Sequence, residues 1–351
     1  MQFVEPESRI KAFARLGKLL RVHTIQPTRY NEILATAVIK SCGANNWFIP
    51  KHVWFALQAL GHNLTEENLR RWTSQYLHNE KAYSLQKTAG VIMAGNIPAV
   101  GFHDFLCVLM AGYHFWGKLS SNDMFLLPAL TEILIDIEPP FAPFIHFSTK
   151  DIPQTDVVIA TGSANTSRYF NYHYGDKPHI FRKNRNGIAI LTGNETETQL
   201  KALAQDVFLH FGLGCRNVSK LFLPNGYTFD ILLKACKSFD YLRRHKGYRD
   251  NLRYYGAIFS INDFSFQANN LIIFHQNADI ASPVSVLNYE FYSEMGTLET
   301  ILSLNADKIQ CVVGSQEVPY RTIDVGCTQT PQLADYADGV DTLQFLFEQL
   351  S

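Results

Sequence analysis

The sequence lacks the charge imbalance and the long apolar runs that would point to nucleic acid or a membrane as a partner. It contains 31 lysines and arginines against 32 aspartates and glutamates, which gives a net charge of −1. Such a chain has no basic field to hold nucleic acid or an anionic membrane surface. The longest apolar stretches, DFLCVLMAGYHFW and MFLLPALTEILIDI, are too short for a membrane span or carry charge. We therefore expect neither nucleic-acid binding nor a membrane span.

Paired cysteine and histidine motifs are also missing. The six cysteines are widely separated and include no CxxC pair, which argues against a disulfide framework or a zinc site. The 12 histidines form neither HExxH nor another close ligand spacing, so we expect no metal site. The first residues, MQFVEPESRIKAFARLGKLL, are charged and amphipathic and lack the apolar block of a signal peptide. These absences together predict a soluble cytoplasmic protein with free thiols.

The residues that are present favour a compact α/β protein. With 351 residues, 46% of them hydrophobic and 18% charged, the chain is large enough for two domains. Helical apolar spacing occurs at residues 7–21, 30–41, 50–60 and 66–77. From residue 90, short apolar runs (90–93, 113–115, 144–147, 156–160) alternate with helix-length segments (102–112, 122–136, 165–174). This alternation predicts βαβ units and a mainly parallel sheet.

A second alternating region follows the polar turn RKNRNG at residues 182–187, where we place a domain boundary. The runs 188–191 and 220–223 resemble strands on either side of a helical segment at 197–210. Further strands are predicted at 271–274, 284–289 and 309–313. The sequence shows no internal repeat and no low-complexity linker.

Asn96 follows a predicted strand in VIMAGNIPAVGFHDF (residues 91–105). A side-chain amide at the carboxyl end of a strand, next to a helix N-terminus, can donate a hydrogen bond to a developing oxyanion. The alternative is that Asn96 and Pro98 only shape a turn.

Two further strand–turn–helix junctions have residues suited to a nucleotide. In WGKLSSNDMFLLP, Lys118 can reach a ribose or a phosphate, with Ser120 and Ser121 beside it; the alternative is that Ser121 or the next residue caps a helix. In DVVIATGSANTSRYF, Gly162 and Ser163 form a turn where the backbone can approach a pyrophosphate. The complete GxGxxG pattern is absent, and many parallel-sheet proteins have such turns without a cofactor.

Cys215 lies in the glycine-containing stretch HFGLGCRNVSKLFLP. Gly212 and Gly214 allow a tight loop, and the neighbouring Arg216 can favour the thiolate. A thiolate is a strong nucleophile towards thioesters and aldehydes. A purely structural role for Cys215 is the alternative. The other five cysteines lie in apolar or helical stretches, and we interpret them as packing residues.

Four motifs of this chain resemble, in their order along the sequence, those of the LuxC family of acyl-CoA reductases. They are AGNIP, GKLSSND, ATGSANTSRYF and FGLGCRNVSK. This family is the fatty-acid reductase branch of the aldehyde dehydrogenase superfamily. DIASPVSVLNYE (279–290) is similar to the superfamily's acidic ribose-binding strand, with Asp279 where glutamate is usual. GCTQTPQLADYADGVDTLQFL (326–346) is similar to its closing segment. The resemblance runs from about residue 85 to the C-terminus.

This resemblance implies an aldehyde dehydrogenase-like α/β fold with a Rossmann-type cofactor domain and an α/β catalytic domain. The first would comprise residues 1–186 with 328–351 returning to it, and the second residues 187–327. Cys215 would be the nucleophile, and the Asn96 amide with the Cys215 N–H would form the oxyanion hole. The cofactor-binding residues would be Lys118, Ser120, Ser121, Gly162, Ser163 and Asp279, with the active site in the cleft between the domains.

Departures from the superfamily pattern refine the expected reaction. Members that oxidise aldehydes have a glutamate base before the strand GIAIL, whereas this chain has FRKNRNG, with no carboxylate. Without that base, hydrolysis of a thioacyl intermediate is disfavoured. Ser121 replaces another frequent glutamate, which favours NADPH, with NADH as the alternative. Ser167 stands where a second glycine is usual, and Ala281 stands where an aromatic residue is usual.

The expected activity is therefore reduction of an acyl thioester, from acyl-CoA or an acyl carrier, to an aldehyde. Because a free aldehyde is reactive, an acyl-donating or aldehyde-consuming enzyme is an expected partner. The alternative from another class is an acyl-thioester-binding or acyl-transfer protein that uses Cys215 without hydride transfer. Oxidation of an aldehyde by NAD is a further alternative, against which the missing glutamate argues.

Overall fold

The computed structural model describes residues 4–21, 28–76, 87–162, 164–315, 318 and 320–350. The chain divides into two units, and each contains one sheet with helices around it. Unit 1 comprises residues 1–183 and 332–351, and unit 2 comprises residues 184–331. The predicted α/β class with mainly parallel sheets is confirmed. Within the described segments, no helix combines the length and apolarity needed to cross a membrane.

Helices occupy the N-terminal part of unit 1, as predicted from apolar spacing. Thr28 and Thr65 begin two of them, each with a hydroxyl that accepts a hydrogen bond from the first-turn backbone. Phe13 of the first helix packs edge-on against three phenylalanine rings of the same core. These helices are α1 (Pro6–Arg21), α2 (Arg29–Ala44), α3 (Pro50–Asn63) and α4 (Glu66–Thr73).

The sheet of unit 1 has five parallel strands in the order β3-β2-β1-β4-β5. The strands are β1 (Thr88–Ile92), β2 (His114–Lys118), β3 (Ile145–Ser148), β4 (Val157–Thr161) and β5 (His179–Arg182). The helices between them are α5 (Phe102–Ala111), α6 (Leu126–Ile137) and α7 (Ala164–Tyr174). The strand order reverses between β1 and β4, and ligands of open α/β sheets bind at the carboxyl ends of strands at such a point.

The C-terminal helix α12 (Thr342–Glu348) belongs to unit 1. A buried ion pair lies at its start: Arg182 Nη1 is 2.5 Å from Asp104 Oδ2, and Arg182 Nη2 donates to Thr342 Oγ1 at 2.8 Å. Because both charged side chains are buried, removing one would leave the other uncompensated. The pair therefore joins α5, β5 and α12.

Unit 2 contains a six-stranded sheet in the order β11-β6-β7-β10-β9-β8, in which β8 is antiparallel to β9. The strands are β6 (Asn186–Ile190), β7 (Val218–Pro224), β8 (Phe266–Ala268), β9 (Ile273–Gln276), β10 (Val286–Tyr292) and β11 (Ile309–Val313). The helices are α8 (Glu197–Phe208), α9 (Asp230–Ala235), α10 (Lys246–Ile261) and α11 (Met295–Leu304). A capping box between Thr196 and Gln199 begins α8.

Elements that the sequence analysis missed are short or weakly patterned. The helix α10 has 16 residues, yet only Tyr248 and Phe259 are buried, so its apolar spacing is faint. The strands β5 and β8 have four and three residues and lie at sheet edges. The helices α9 and α11 were not predicted either.

Candidate active site

Three predicted site residues lie along one edge of the unit 1 sheet. Asn96 follows β1, Lys118 ends β2 and Gly162 follows β4. Because these strands are parallel, their carboxyl ends share one edge, beside the point where the strand order reverses. Asn96 is exposed there. Ser163, the remaining residue of the predicted pyrophosphate turn, lies outside the described residues.

The turn that contains Asn96 is held on one side by Asn45, which follows α2. The buried Asn45 side chain donates through Nδ2 to the carbonyl oxygens of Gly95, at 3.4 Å, and Asn122, at 3.1 Å. It therefore joins the turn after β1 to the turn after β2. Sequence reasoning missed Asn45 because the residues it contacts are far away along the chain.

Asp123 holds the same turn on its other side. Its Oδ2 accepts a hydrogen bond from the Ala99 N–H at 2.7 Å, and Ala99 has a left-handed φ of 55°. Burial raises the pKa of Asp123 to about 6, although backbone N–H groups of Ala99 and Leu126 oppose this shift. Its second oxygen, Oδ1, is buried and has no hydrogen-bond partner among the described residues. Asp123 therefore fixes the turn through a carboxylate that is only half satisfied.

Lys118 is the last residue of β2, and Ser120 and Ser121 lie in the turn that follows. The Lys118 ammonium is 3.4 Å from the Asp151 carboxylate, which is largely exposed. Ser120 Oγ accepts a hydrogen bond from the Asn122 N–H at 3.3 Å, and Ser121 is exposed. The interpretation of Ser121 or its neighbour as a helix cap is wrong, because α6 begins at Leu126 without a side-chain cap.

Gly162 lies between the end of β4 and the start of α7, and its position requires a glycine. A Cβ there would lie 2.9 Å from Cβ of Thr166 and 3.0 Å from Cε2 of Phe170. The helix therefore packs closely on the turn, as in nucleotide-binding strand–turn–helix junctions, where the backbone approaches a pyrophosphate. Lys118 and the Gly162 turn are the residues of this edge that could hold a nucleotide.

In unit 2, Cys215 is half-buried on the loop between a 3₁₀ turn (Leu209–Gly212) and β7. The backbone just before it is unusual, because His210, Phe211 and Gly212 all have positive φ, at 53°, 60° and 75°. Such strain occurs where the surrounding structure fixes the chain. Burial also lowers the pKa of His210 to about 4. His210 is therefore neutral at pH 7 and supplies no positive charge to a thiolate.

The Asn217 side chain fixes this loop from inside. Its Oδ1 accepts from the Gly214 N–H at 2.8 Å, and its Nδ2 donates to the carbonyl oxygens of Asp206 and Leu209 at 2.8 and 2.9 Å. On the neighbouring strand β6, a Cβ at Gly187 would lie 2.7 Å from the Arg216 carbonyl oxygen. The Cys215 loop therefore passes β6 where only a glycine fits.

A second network holds the loop through Arg216. Its Nε donates to the carbonyl oxygen of Thr328 at 3.0 Å. The buried Asp206 carboxylate accepts hydrogen bonds from the backbone of Gly326 and from the backbone and hydroxyl of Thr328, at 2.6, 3.0 and 2.8 Å. Sequence reasoning missed Asp206 and Thr328, and it assigned Arg216 only to thiolate stabilisation.

The remaining predicted residues have simpler surroundings. Asp279 is exposed on the loop after β9, in the same unit as Cys215. Of the other cysteines, Cys107, Cys236 and Cys311 are buried. The interpretation of Cys327 as a packing residue is wrong, because it is exposed. The described residues include no group of three or more His, Cys, Asp or Glu side chains that could hold a metal ion.

No protein-family model and no curated protein matches this chain. Solved structures do match its fold. Aldehyde dehydrogenase 21 from Physcomitrella patens, in complex with the reaction product succinate, matches with a TM-score of 0.61 at 10% identity, over 98% of this chain and 88% of its own. A putative aldehyde dehydrogenase from Burkholderia cenocepacia matches with a TM-score of 0.64 at 11% identity, over 88% and 74%. A Mycobacterium tuberculosis aldehyde dehydrogenase complexed with NAD+ matches with a TM-score of 0.60 at 14% identity, over 90% and 74%. The fold is therefore aldehyde dehydrogenase-like.

Proposed function

We propose that this protein reduces an acyl thioester, from acyl-CoA or an acyl carrier, to an aldehyde through a thioacyl intermediate on Cys215. The observation that carries the proposal is the Cys215 loop itself. A half-buried thiol lies on backbone that is fixed by the buried Asn217 side chain, within an aldehyde dehydrogenase-like fold. Rigid presentation of a nucleophile is what covalent catalysis requires.

In the first step, the Cys215 thiolate attacks the carbonyl carbon of the thioester and forms a new carbon–sulfur bond. The Asn96 amide and the Cys215 N–H donate hydrogen bonds to the oxyanion. The bond to the departing thiol then breaks, and the thiolate of CoA or of the carrier takes up a proton from water. Asn96 is exposed, and its turn is fixed by Asn45 and Asp123, as a donor fixed before the reaction should be.

The second step consumes the thioacyl group. A bound NAD(P)H would supply the hydride to the thioacyl carbon; the carbon–sulfur bond to Cys215 would then break, and the aldehyde, NAD(P)+ and the Cys215 thiolate would be released. FRKNRNG has no carboxylate to activate water, which favours reduction over hydrolysis. Gly162 and Ser163 would contact the pyrophosphate, and Lys118, Ser120, Ser121 and Asp279 the riboses. The lack of a carboxylate at Ser121 favours NADPH over NADH.

The test compares the wild-type protein with Cys215→Ala on a panel of acyl-CoAs. Aldehyde formation is followed with NADPH and with NADH, and intact mass is measured with acyl-CoA alone. Cys327→Ala is the matched control, because Cys327 is an exposed cysteine of the same unit. We expect Cys215→Ala to abolish both the mass increase and the aldehyde, and Cys327→Ala to keep both. Aldehyde formation by Cys215→Ala would overturn the proposal.

A second candidate function is acyl transfer without hydride transfer. Ala281, in place of the aromatic residue usual in the superfamily, favours it because support for a nicotinamide ring is lost. In that case the wild-type protein would gain acyl mass on Cys215 but neither consume NAD(P)H nor form aldehyde. The acyl group would then pass to a thiol or to a partner enzyme, and the same assay separates the two functions.

A further inference from the structure

The loop at residues 277–281, which carries Asp279, is held by three buried polar side chains from two strands of unit 2. We refer to Ser219 and Lys220 of β7 and Asn288 of β10 as the loop clamp. All three are buried, and the Lys220 side chain is 0% exposed. Polar side chains in the middle of a sheet are costly unless they form hydrogen bonds, so their partners show what they hold.

The two β7 residues hold the loop on either side of Asp279. Lys220 Nζ donates to the Asn277 carbonyl oxygen, and Ser219 Oγ donates to the Ile280 carbonyl oxygen at 2.7 Å. The pair therefore holds one backbone carbonyl before Asp279 and one after it.

Asn288 completes the clamp from the adjacent strand. Its Nδ2 donates to the carbonyl oxygens of Asp279 and Ala281, both at 3.0 Å. Together with the β7 contacts, four of the five backbone carbonyls from residue 277 to residue 281 accept a hydrogen bond from the clamp. A loop held in this way has a fixed backbone, although Asp279 itself is exposed.

Burying the Lys220 ammonium costs free energy, and a loop that only connects two strands does not need a buried charge to hold it. The Lys220 ammonium is 2.7 Å from Glu290 Oε2, and burial lowers its pKa while Glu290 raises it. Glu290 is 30% exposed, but the ammonium is fully buried, and replacing a buried charge and its partner with apolar side chains often leaves stability unchanged or improves it. The pair therefore suggests a requirement for loop geometry in addition to stability.

We propose that Lys220, with Ser219 and Asn288, is a positioning residue that fixes the Asp279 loop for the ribose of a nicotinamide nucleotide. The inference rests on the proposed function, in which Asp279 binds that ribose. The strand β7 also begins three residues after Cys215. One strand thus continues from the nucleophile loop to the residues that hold the ribose loop. The clamp side chains bind the backbone of residues 277–281, so in this proposal their effect reaches the nucleotide through that loop.

The test measures nucleotide binding directly, by calorimetry with NADPH and with NADH, for the wild-type protein and Lys220→Met. Methionine keeps the length of the side chain and loses the donor. We expect the Kd to rise about tenfold for the better nucleotide, because small displacements of a binding group are costly. Alkylation of Cys215 by iodoacetamide should keep its wild-type rate, since Asn217 and not Lys220 holds that loop.

Two comparisons separate positioning from a general loss of structure. Lys234→Met removes an exposed lysine of the same unit and should change neither measurement. Asp279→Ala should weaken binding like Lys220→Met, and the double variant should bind no more weakly than the weaker single variant, because both act through one loop. If Lys220→Met does not fold, Ser219→Ala removes another clamp contact and should weaken binding in the same direction.

The results distinguish failure of this inference from failure of the proposed function. Wild-type protein that binds neither nucleotide would overturn both. Wild-type binding with an unchanged Kd in Lys220→Met and Ser219→Ala would overturn the clamp alone. Additive losses in the double variant would also contradict it, because Lys220 would then act independently of Asp279.

Discussion

Two buried aspartates hold the loops beside the proposed reactive residues, one in each unit, and their hydrogen bonding differs. In unit 2, both oxygens of Asp206 accept hydrogen bonds, from Gly326 and Thr328. In unit 1, Asp123 accepts through Oδ2 from Ala99, while Oδ1 has no partner among the described residues. The two carboxylates have similar positions beside a loop but unequal numbers of donors.

The pKa values of Asp206 and Asp123 both depend on the balance between burial and hydrogen bonding. Burial raises the pKa of both groups, and hydrogen bonds to the carboxylate oppose the shift. Burial prevails in both, and the pKa of Asp123 reaches about 6. The two groups differ in their donors, because Asp206 accepts three hydrogen bonds and Asp123 keeps one oxygen without a partner, so we expect Asp206 to be the stronger support. We therefore expect the Asn96 turn to depend on pH in the range where Asp123 titrates.

Removing Asp206 should have the largest effect. In Asp206→Ala, the N–H groups of Gly326 and Thr328 and the Thr328 hydroxyl lose their acceptor. Each buried group left unsatisfied costs about 1–3 kcal/mol, so we expect the free energy of unfolding to fall by at least about 3 kcal/mol. Urea denaturation measures this, and Asp240→Ala is the control, since its side chain is exposed. An equally small loss in both variants would show that the network does not support the fold.

Removing Asn217 should have a smaller effect on stability but a clear effect on chemistry. Asn217→Ala loses three hydrogen bonds that fix the Cys215 loop. Because bonds of a neutral amide contribute less than bonds to a carboxylate, we expect a cost of about 2 kcal/mol. The loosened loop should slow acylation of Cys215 by acyl-CoA, read by intact mass over time. Asn45→Ala is compared in the same assay, because it loosens the turn that contains Asn96 and leaves the hydrogen bonds of the Cys215 loop in place. If Asn217→Ala acylates at the wild-type rate, the loop does not need this side chain.

Substituting Asp123 tests whether this residue makes the stability of the protein depend on pH. Its pKa is raised from 3.8 to about 6 in the folded protein, so the folded state binds more protons between these values. Stability should therefore fall as pH rises from about 4 to about 6. Asp123→Asn removes this dependence and should stabilise the protein at pH 8 by about 1–2 kcal/mol. The gain is smaller than the full pKa shift implies, because an amide oxygen accepts the hydrogen bond from Ala99 less strongly than a carboxylate does.

Thermal unfolding of both proteins across pH 4–8 provides the measurement. The difference between Asp123→Asn and the wild type should be small at pH 4 and grow up to about pH 6. A constant difference over the whole range would show that Asp123 is not the titrating group. The corresponding Asp206→Asn should destabilise the protein at pH 8, because an amide cannot accept as many hydrogen bonds as a carboxylate.

The same comparison shows what the sequence could and could not predict. Local patterns sufficed for the strand–helix alternation, and Gly212 and Gly214 marked the Cys215 loop. Asp206 could not be found in this way, because its partner Gly326 lies 120 residues further along the chain. Lys220 did leave a signal, as a lysine inside the apolar run VSKLFL. The start of α6 at Leu126 instead of residue 122 reflects the SSND turn, in which the Ser120 hydroxyl accepts from the Asn122 N–H and the Asp123 carboxylate accepts from the Ala99 N–H.

The smallest effect on stability is expected for Asp151. Its substitution should instead change the choice between NADPH and NADH. Its ion pair with Lys118 is exposed and should contribute less than about 1 kcal/mol, so Asp151→Ser should unfold like the wild type. Ser121 itself supplies no carboxylate, and the carboxylate of Asp123 in the same turn is buried against Ala99, yet Asp151 brings an exposed carboxylate to Lys118. A carboxylate beside a ribose disfavours a 2′-phosphate. We therefore expect Asp151→Ser to bind NADPH more tightly relative to NADH, as measured by calorimetry. An unchanged ratio would mean that Asp151 does not face the ribose and that the choice of nucleotide depends on the Ser121 turn.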